Sequence, residues 1–157
     1  MNVQATRPEV DAGALLPGTQ FIDAYSVSVD GTALDARHAA EKMLSREPRW
    51  IAALTTLRNQ LVRPFGLKTP SPVRSLSTDT VGRFPVLSET PDRLVAGLDD
   101  NHLDFRVVVD VATSDNSQRI TLTTLVLTHN WLGRTYLATI LPFHRLIAPA
   151  MLRQVAA

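Results

Sequence analysis

The chain contains four histidines and no cysteine, so proton transfer near neutral pH would fall to histidine. When residues 132–155 are placed on a helix, His144 lies inside an apolar arc. A titratable group at such a position is costly to bury without a partner. Two interpretations stay open. His144 is either a neutral core side chain bonded to a strand carbonyl or hydroxyl, or it faces a cavity as a ligand contact or general acid/base.

A second polar group lies in one predicted strand, where His102, Asp104 and Arg106 alternate with apolar residues. Strand geometry puts these three side chains on one face. We favour a solvated outer face, on which an ion pair between Asp104 and Arg106 would contribute about 0–1 kcal/mol. The alternative is that all three side chains line a cavity, since the sequence leaves open which face is covered.

Three further residues lie near the predicted helix that carries His144. Tyr136 is on that helix and is a second polar candidate for contacting a ligand. His129 and Trp131 lie where the last strand turns into the helix. Their position is typical of a helix cap with a packing tryptophan, and it would also border the mouth of a cavity.

Several kinds of chemistry are excluded or disfavoured. The absence of cysteine excludes disulfides, thiol nucleophiles and thiolate metal sites. The histidines show no HxxxH or HxH spacing, and the acidic turn at Asp99-Asp100 lacks the further ligands of a calcium loop. No phosphate-binding loop or GxSxG motif is present. We therefore predict no metal and no cofactor.

Composition and charge limit the classes of partner that the protein could bind. The sixteen Lys and Arg residues are scattered among fifteen acids, for a net charge of +1, so we predict no nucleic-acid partner. No run approaches the roughly 18 apolar residues of a membrane span, and the N-terminus lacks a signal-peptide core. These features, with the absence of cysteine, favour a cytoplasmic protein.

The elements that must position these residues begin with a strand and two helices. Residues 1–18 are polar and aperiodic and predict a flexible leader, followed by a single domain over residues 19–157. Phe21–Val29 predicts a strand. Helices are predicted at about Asp35–Leu44 and from Pro48 to Gly66. The Pro- and Ser-rich stretch Lys68–Gly82 predicts a mobile loop near the site.

The second half of the chain changes to a period of two and then to a long helix. Alternation predicts four strands separated by short polar turns, which indicates an antiparallel meander: Phe84–Glu89, Arg93–Leu98, Leu103–Ala112 and Gln118–His129. Leu132–Val155 predicts one long helix, with Asn130 as its cap. The helix is apolar enough to cover the sheet, so the fold class is α+β.

This order resembles the helix-grip fold of the START-like (SRPBCC) superfamily. Segments similar to an uncharacterised bacterial domain-of-unknown-function family of that superfamily are PRWIAALTTLRNQLVRPFGL (48–67), GLDDNHLDFRV (97–107), TTLVLTHNWLGRTYL (123–137) and LPFHRLIAP (141–149). The resemblance implies an antiparallel sheet wrapped around the C-terminal helix. Relatives of this type are also found joined to NAD(P)-binding reductase-like domains.

Three functions follow as expectations. The first is a binding domain for a small apolar or amphipathic molecule, with a pocket between the sheet and the C-terminal helix. The second is an enzyme of cyclase, dehydratase or isomerase type that uses His144 as acid/base. The third is a partner subunit of an NAD(P)-dependent reductase, and a homodimer stays open.

Overall fold

The computed structural model describes residues 3–30, 33–45, 80–81, 84–99 and 103–156. The strands are β1 (Gln4–Thr6), β2 (Phe21–Asp30), β3 (Thr80–Val81), β4 (Phe84–Glu89), β5 (Arg93–Asp99), β6 (Leu103–Ser114) and β7 (Ser117–Thr128). The helices are α1 (Ala12–Leu15), α2 (Ala36–Ser45) and α3 (Trp131–Ala156). Among the described residues, none of these helices is long and apolar enough to cross a membrane.

The described strands form one antiparallel sheet in the order β1-β2-β7-β6-β5-β4-β3. The predicted α+β class and the meander from Phe84 onward are confirmed. At the β6–β7 turn, Ser114 pairs with Ser117, and Asp115 adopts a φ of 49°. Asp tolerates this left-handed conformation better than most residues, so the polar turn marks a hairpin with a two-residue loop.

One pairing joins distant parts of the chain. β2 pairs along its whole length with β7, from Phe21 opposite Val126 to Asp30 opposite Ser117. The first long strand is therefore a neighbour of the last one. Because alternation within a strand carries no information about its neighbours, the sequence did not predict this pairing.

One face of the sheet packs against α2 and α3. Three groups of side chains form this main core: Val27, Val29, Leu94, Ala96, Val109, Val111, Ile120 and Leu122 from the strands, Ala36, Ala39, Ala40 and Met43 from α2, and Ala148, Leu152 and Val155 from α3. The alanines of α2 are fully buried, and their small size lets the helix approach closely. The long helix covers the sheet as predicted.

The opposite face is covered by the N-terminal segment, which lies within residues 1–18. β1 pairs with β2, and Leu16 is buried against Val95, Val108 and Leu125. Arg119 Nη2 also donates to Thr6 Oγ1 at 2.7 Å. The physical reason is that β5, β6 and β7 each place a buried apolar side chain on this face, Val95, Val108 and Leu125, and these side chains need a cover.

Some of the other predicted elements lie partly or wholly outside the residues that the structure describes. The helix predicted from Pro48 to Gly66 lies outside them. So does most of the Lys68–Gly82 loop, although Thr80–Val81 within it is strand β3 and not loop. The predicted Asn130 cap is confirmed, since its Oδ1 accepts from the backbone N–H of Gly133 at 3.0 Å.

The packing of α3 can be tested with two leucines of the same helix. Leu152 is fully buried and Leu146 is 62% exposed. Leu152→Ala should lower the free energy of unfolding by about 2–5 kcal/mol, because it removes core contacts and leaves a cavity. The matched control Leu146→Ala should change it by less than about 0.5 kcal/mol. Urea denaturation measures both, and equal losses would contradict this orientation of α3.

Candidate functional site

His144 faces the sheet from the middle of α3. It lies one and two helical turns before Ala148 and Leu152, so these three side chains project from the same side of the helix. α3 packs on β2, on β7 and on α2. His144 therefore lies in the seam between α3 and the sheet, beside the purely apolar core.

The partner of His144 is a carboxylate on β2. His144 Nε2 lies 3.2 Å from Asp23 Oδ1, and the side chains are 21% and 20% exposed. The ring of Phe21 meets the imidazole edge-on, with centroids 6.0 Å apart and planes at 83°. Thus neither sequence-based interpretation of His144 named its partner, which is a charged group and not a carbonyl or hydroxyl. We call these two residues the Asp23–His144 pair.

Tyr25 adds a third titratable group to the seam. Phe21, Asp23 and Tyr25 alternate along β2 and share its helix-facing side. Burial raises the pKa of the Tyr25 phenol, the negative charge of Asp23 raises it further, and Arg145 lowers it. The phenol is therefore protonated at neutral pH and is a hydrogen-bond donor. Phe21, Asp23, Tyr25, His144 and Arg145 together are called the β2–α3 site.

The arrangement determines which imidazole nitrogen is available. An ionised carboxylate only accepts hydrogen bonds, so in the neutral imidazole the proton lies on Nε2, towards Asp23. The lone pair is then on Nδ1, which has no hydrogen-bond partner among the described residues. Nδ1 can accept a hydrogen bond from a ligand or take a proton from a substrate.

The other candidates from the sequence lie on the opposite face. Asp104 and Arg106 share the face of Val108, which packs on the N-terminal segment, whereas Val109 belongs to the core beneath α3. His129 Nε2 lies 3.0 Å from Asp104 Oδ2, with side chains 39% and 16% exposed. The sheet thus separates this second Asp–His pair from His144.

The structure places the remaining candidates Arg106 and Trp131 as follows. Arg106 Nη1 donates to the carbonyl of Phe105 at 2.9 Å, and its side chain lies over Gly97, where a Cβ would be only 2.9 Å from Arg106 Cδ. Trp131 begins α3 and is 65% exposed. His102 lies outside the described residues. Tyr136 lies in α3, but its side chain lies outside the described part.

The sequence analysis missed Asp23, Tyr25 and Arg145. A signal for Asp23 exists, because it is the one charged residue in the otherwise apolar row Phe21, Asp23, Tyr25, Val27, Val29. A charge in such a row is expensive to bury unless it has a partner. Within the described ranges, no three His, Asp or Glu side chains are grouped so as to hold a metal ion.

Comparison with known proteins gives a family and two similar structures. The family model described as "Protein of unknown function (DUF2867)" matches residues 15–151. No curated protein matches the chain. A conserved protein from Geobacillus kaustophilus is 11% identical, with 87% of this chain and 93% of that chain covered and a TM-score of 0.40. CalU16 from Micromonospora echinospora is 11% identical, with 98% and 88% covered and a TM-score of 0.36.

The charges around Tyr25 can be read from its titration. Tyr25 and Tyr136 are the two tyrosines of the chain, so Tyr136→Phe leaves one phenol to follow by ultraviolet absorbance. In that background Asp23→Asn should lower the pKa of Tyr25, although burial keeps it above the ordinary value of about 10. Arg145→Gln should raise it.

The control is Asp104→Asn, which removes the same charge on the other face of the sheet and should leave the titration unchanged. If neither Asp23→Asn nor Arg145→Gln changed the midpoint of the Tyr25 titration, the grouping of these residues would be contradicted.

Proposed function

The chain belongs to the DUF2867 family, and we propose that it is a binding domain for a small, mostly apolar molecule held between α3 and the sheet. The observation that carries the proposal is the Asp23–His144 pair. It is half-buried in the seam between helix and sheet, and one nitrogen of the imidazole has no partner among the described residues.

The seam has two chemically different halves, and this supports the proposal. Towards the C-terminal end of α3, Ala148, Leu152 and Val155 belong to the buried apolar core. Towards its N-terminal end, the helix-facing rows of β2 and β7 mix apolar and polar side chains: Phe21, Asp23, Thr124, Val126 and Thr128. A mostly apolar surface with a few placed polar groups is typical of small-molecule sites.

The polar groups indicate what the ligand carries. Nδ1 of His144 accepts hydrogen bonds, so the ligand would offer a hydroxyl or an N–H group. The opposite charges of Asp23 and Arg145 both act on Tyr25, so the site does not call for a strongly charged ligand. The proposed ligand is therefore an apolar or amphipathic molecule with at least one hydrogen-bond donor.

A second candidate function is catalysis, and a specific observation favours it. Asp23 holds the imidazole by Nε2, which is how a carboxylate orients a general base whose other nitrogen works on a substrate. The protonated phenol of Tyr25 lies within electrostatic reach of the same carboxylate. In this alternative His144 would take or return a proton at Nδ1 in a cyclase, dehydratase or isomerase type of reaction.

For the architecture we propose the helix-grip arrangement of START-like domains. Two features support it. β2 is followed by α2 before the remaining strands, and its neighbour in the sheet is the last strand, β7. The C-terminal helix α3 then lies on the face that carries the Asp23–His144 pair.

The binding proposal is tested with a matched pair of histidine variants. Purified wild-type protein is examined by native mass spectrometry for a co-purified small molecule, and binding of 2-naphthol and 2-methylnaphthalene is followed by fluorescence. We expect tighter binding of the hydroxylated probe. His144→Ala should weaken 2-naphthol binding about tenfold, the effect of one hydrogen bond.

His129→Ala is the control, since it also removes the histidine of an Asp–His pair, but on the other face. It should leave binding unchanged. His144→Gln separates the two functions, because glutamine keeps a hydrogen-bonding group but cannot act as acid or base near pH 7. If His144→Gln still binds the ligand but loses a reaction that the wild-type protein carries out, the protein is an enzyme. If His144→Ala and His129→Ala weaken 2-naphthol binding equally, the proposed site is contradicted.

A further inference from the structure

The exposed side of α3 has an unusual composition. The helix contains Arg134, Arg145 and Arg153 but no Asp or Glu. Among the side chains of α3 that the structure describes, the exposed ones are Trp131, Arg134, Thr135, Ala138, Thr139, Pro142, Phe143, Arg145, Leu146 and Arg153. Three of them are large and apolar: Trp131 is 65% exposed, Leu146 62% and Phe143 41%. We call this surface the outer α3 face.

The outer α3 face is a basic and apolar strip, although the chain as a whole has nearly balanced charges, with sixteen basic and fifteen acidic residues. Large apolar side chains exposed together mark interaction surfaces. A helix of this length extends over roughly 39 Å at about 1.5 Å per residue. The arginines at positions 134, 145 and 153 therefore spread positive charge along most of the helix instead of concentrating it at one point.

A second copy of the chain is a poor match for this face. In a twofold-symmetric contact the same patch meets itself. The arginines of both helices would then approach each other, and neither helix has a carboxylate to offset them. The charge of the face instead calls for an anionic partner.

We propose that the outer α3 face docks on an anionic lipid surface. Helices that lie on membranes combine Lys or Arg with Trp, Phe and Leu, which enter the boundary between head groups and acyl chains. Arg134, Arg145 and Arg153 would contact the lipid phosphates, while Trp131, Phe143 and Leu146 would enter the boundary. A lipid surface also matches charge that is spread along a helix, because its head groups adjust to the positions of the arginines.

This docking does not depend on the proposed ligand. His144 faces the sheet, on the other side of the same helix. The β2–α3 site would therefore not contact the lipid while α3 lies on a membrane. Arg145 is the residue shared by both surfaces, and it is therefore left unchanged in the variants below.

The experiment is co-sedimentation of the full chain with vesicles of phosphatidylglycerol and phosphatidylcholine, compared with vesicles of phosphatidylcholine alone. We expect the protein to sediment with the anionic vesicles only, and to be released by added salt. Arg134→Gln with Arg153→Gln should weaken the partition about 30-fold, from two lost arginine contacts.

The control for charge is Arg7→Gln with Arg119→Gln, two exposed arginines outside α3. It makes the same change in net charge and should reduce the partition much less. The control for apolar contacts compares Leu146→Ser with Leu87→Ser on β4, where leucine is 52% exposed. Only Leu146→Ser should weaken vesicle binding.

Three outcomes would overturn the proposal. Wild-type protein that stays in the supernatant with anionic vesicles excludes lipid docking, and an acidic protein partner then becomes the better explanation of the face. If the two arginine double variants lost vesicle binding equally, net charge alone would explain the binding and α3 would have no special part in it. A wild-type dimer in analytical ultracentrifugation that Leu146→Ser dissociates would assign the face to a second copy.

Discussion

The pairing of β2 with β7 is the constraint on which the rest of the structure depends. It joins the first long strand to the last one and so places β2 beneath the C-terminal helix. Asp23 is then opposite Thr124 in the sheet and within reach of His144 on α3. Without this pairing the two halves of the candidate site would lie on unrelated parts of the chain.

The sheet has an apolar cover on each face, and the covers differ in kind. Two helices pack on one face through small and branched side chains, while a short irregular segment ending at Leu16 covers the other. Both covers are required because Val108 and Val109 are neighbours in one strand, point to opposite faces, and are both fully buried. The candidate site forms where the helical cover passes from apolar to mixed surroundings.

The two Asp–His pairs have the same functional groups but different surroundings. His129 is 39% exposed beside Asp104 on the face of the N-terminal segment, where water competes for the imidazole. His144 is 21% exposed and has the ring of Phe21 against it, and its partner Asp23 also acts electrostatically on the partly buried phenol of Tyr25. Electrostatic interactions are stronger where less water is present, so the Asp23–His144 pair is the better candidate for binding or proton transfer.

The sequence by itself determined the types and most of the limits of β2, of β4 to β7, and of α2 and α3. Alternation marked β4 to β7, polar turns marked their hairpins, and Asn130 marked the start of α3. These features depend on neighbours within a few residues, so local patterns contain them. The odd position of His144 in an apolar arc was visible for the same reason.

Only the tertiary structure decided which groups meet. Asp23 and Tyr25 joined His144 because of the register between β2 and β7, two strands far apart in the chain. Asp104, Arg106 and His129 lie on the other face, and alternation alone does not say which face of β6 receives a helix, since Val108 and Val109 are buried on opposite faces. The position of the N-terminal segment was not predicted for a related reason: the surface it covers belongs to strands that follow it much later in the chain. Partners and faces are set by packing between distant segments, and a periodic pattern within one segment carries no record of them.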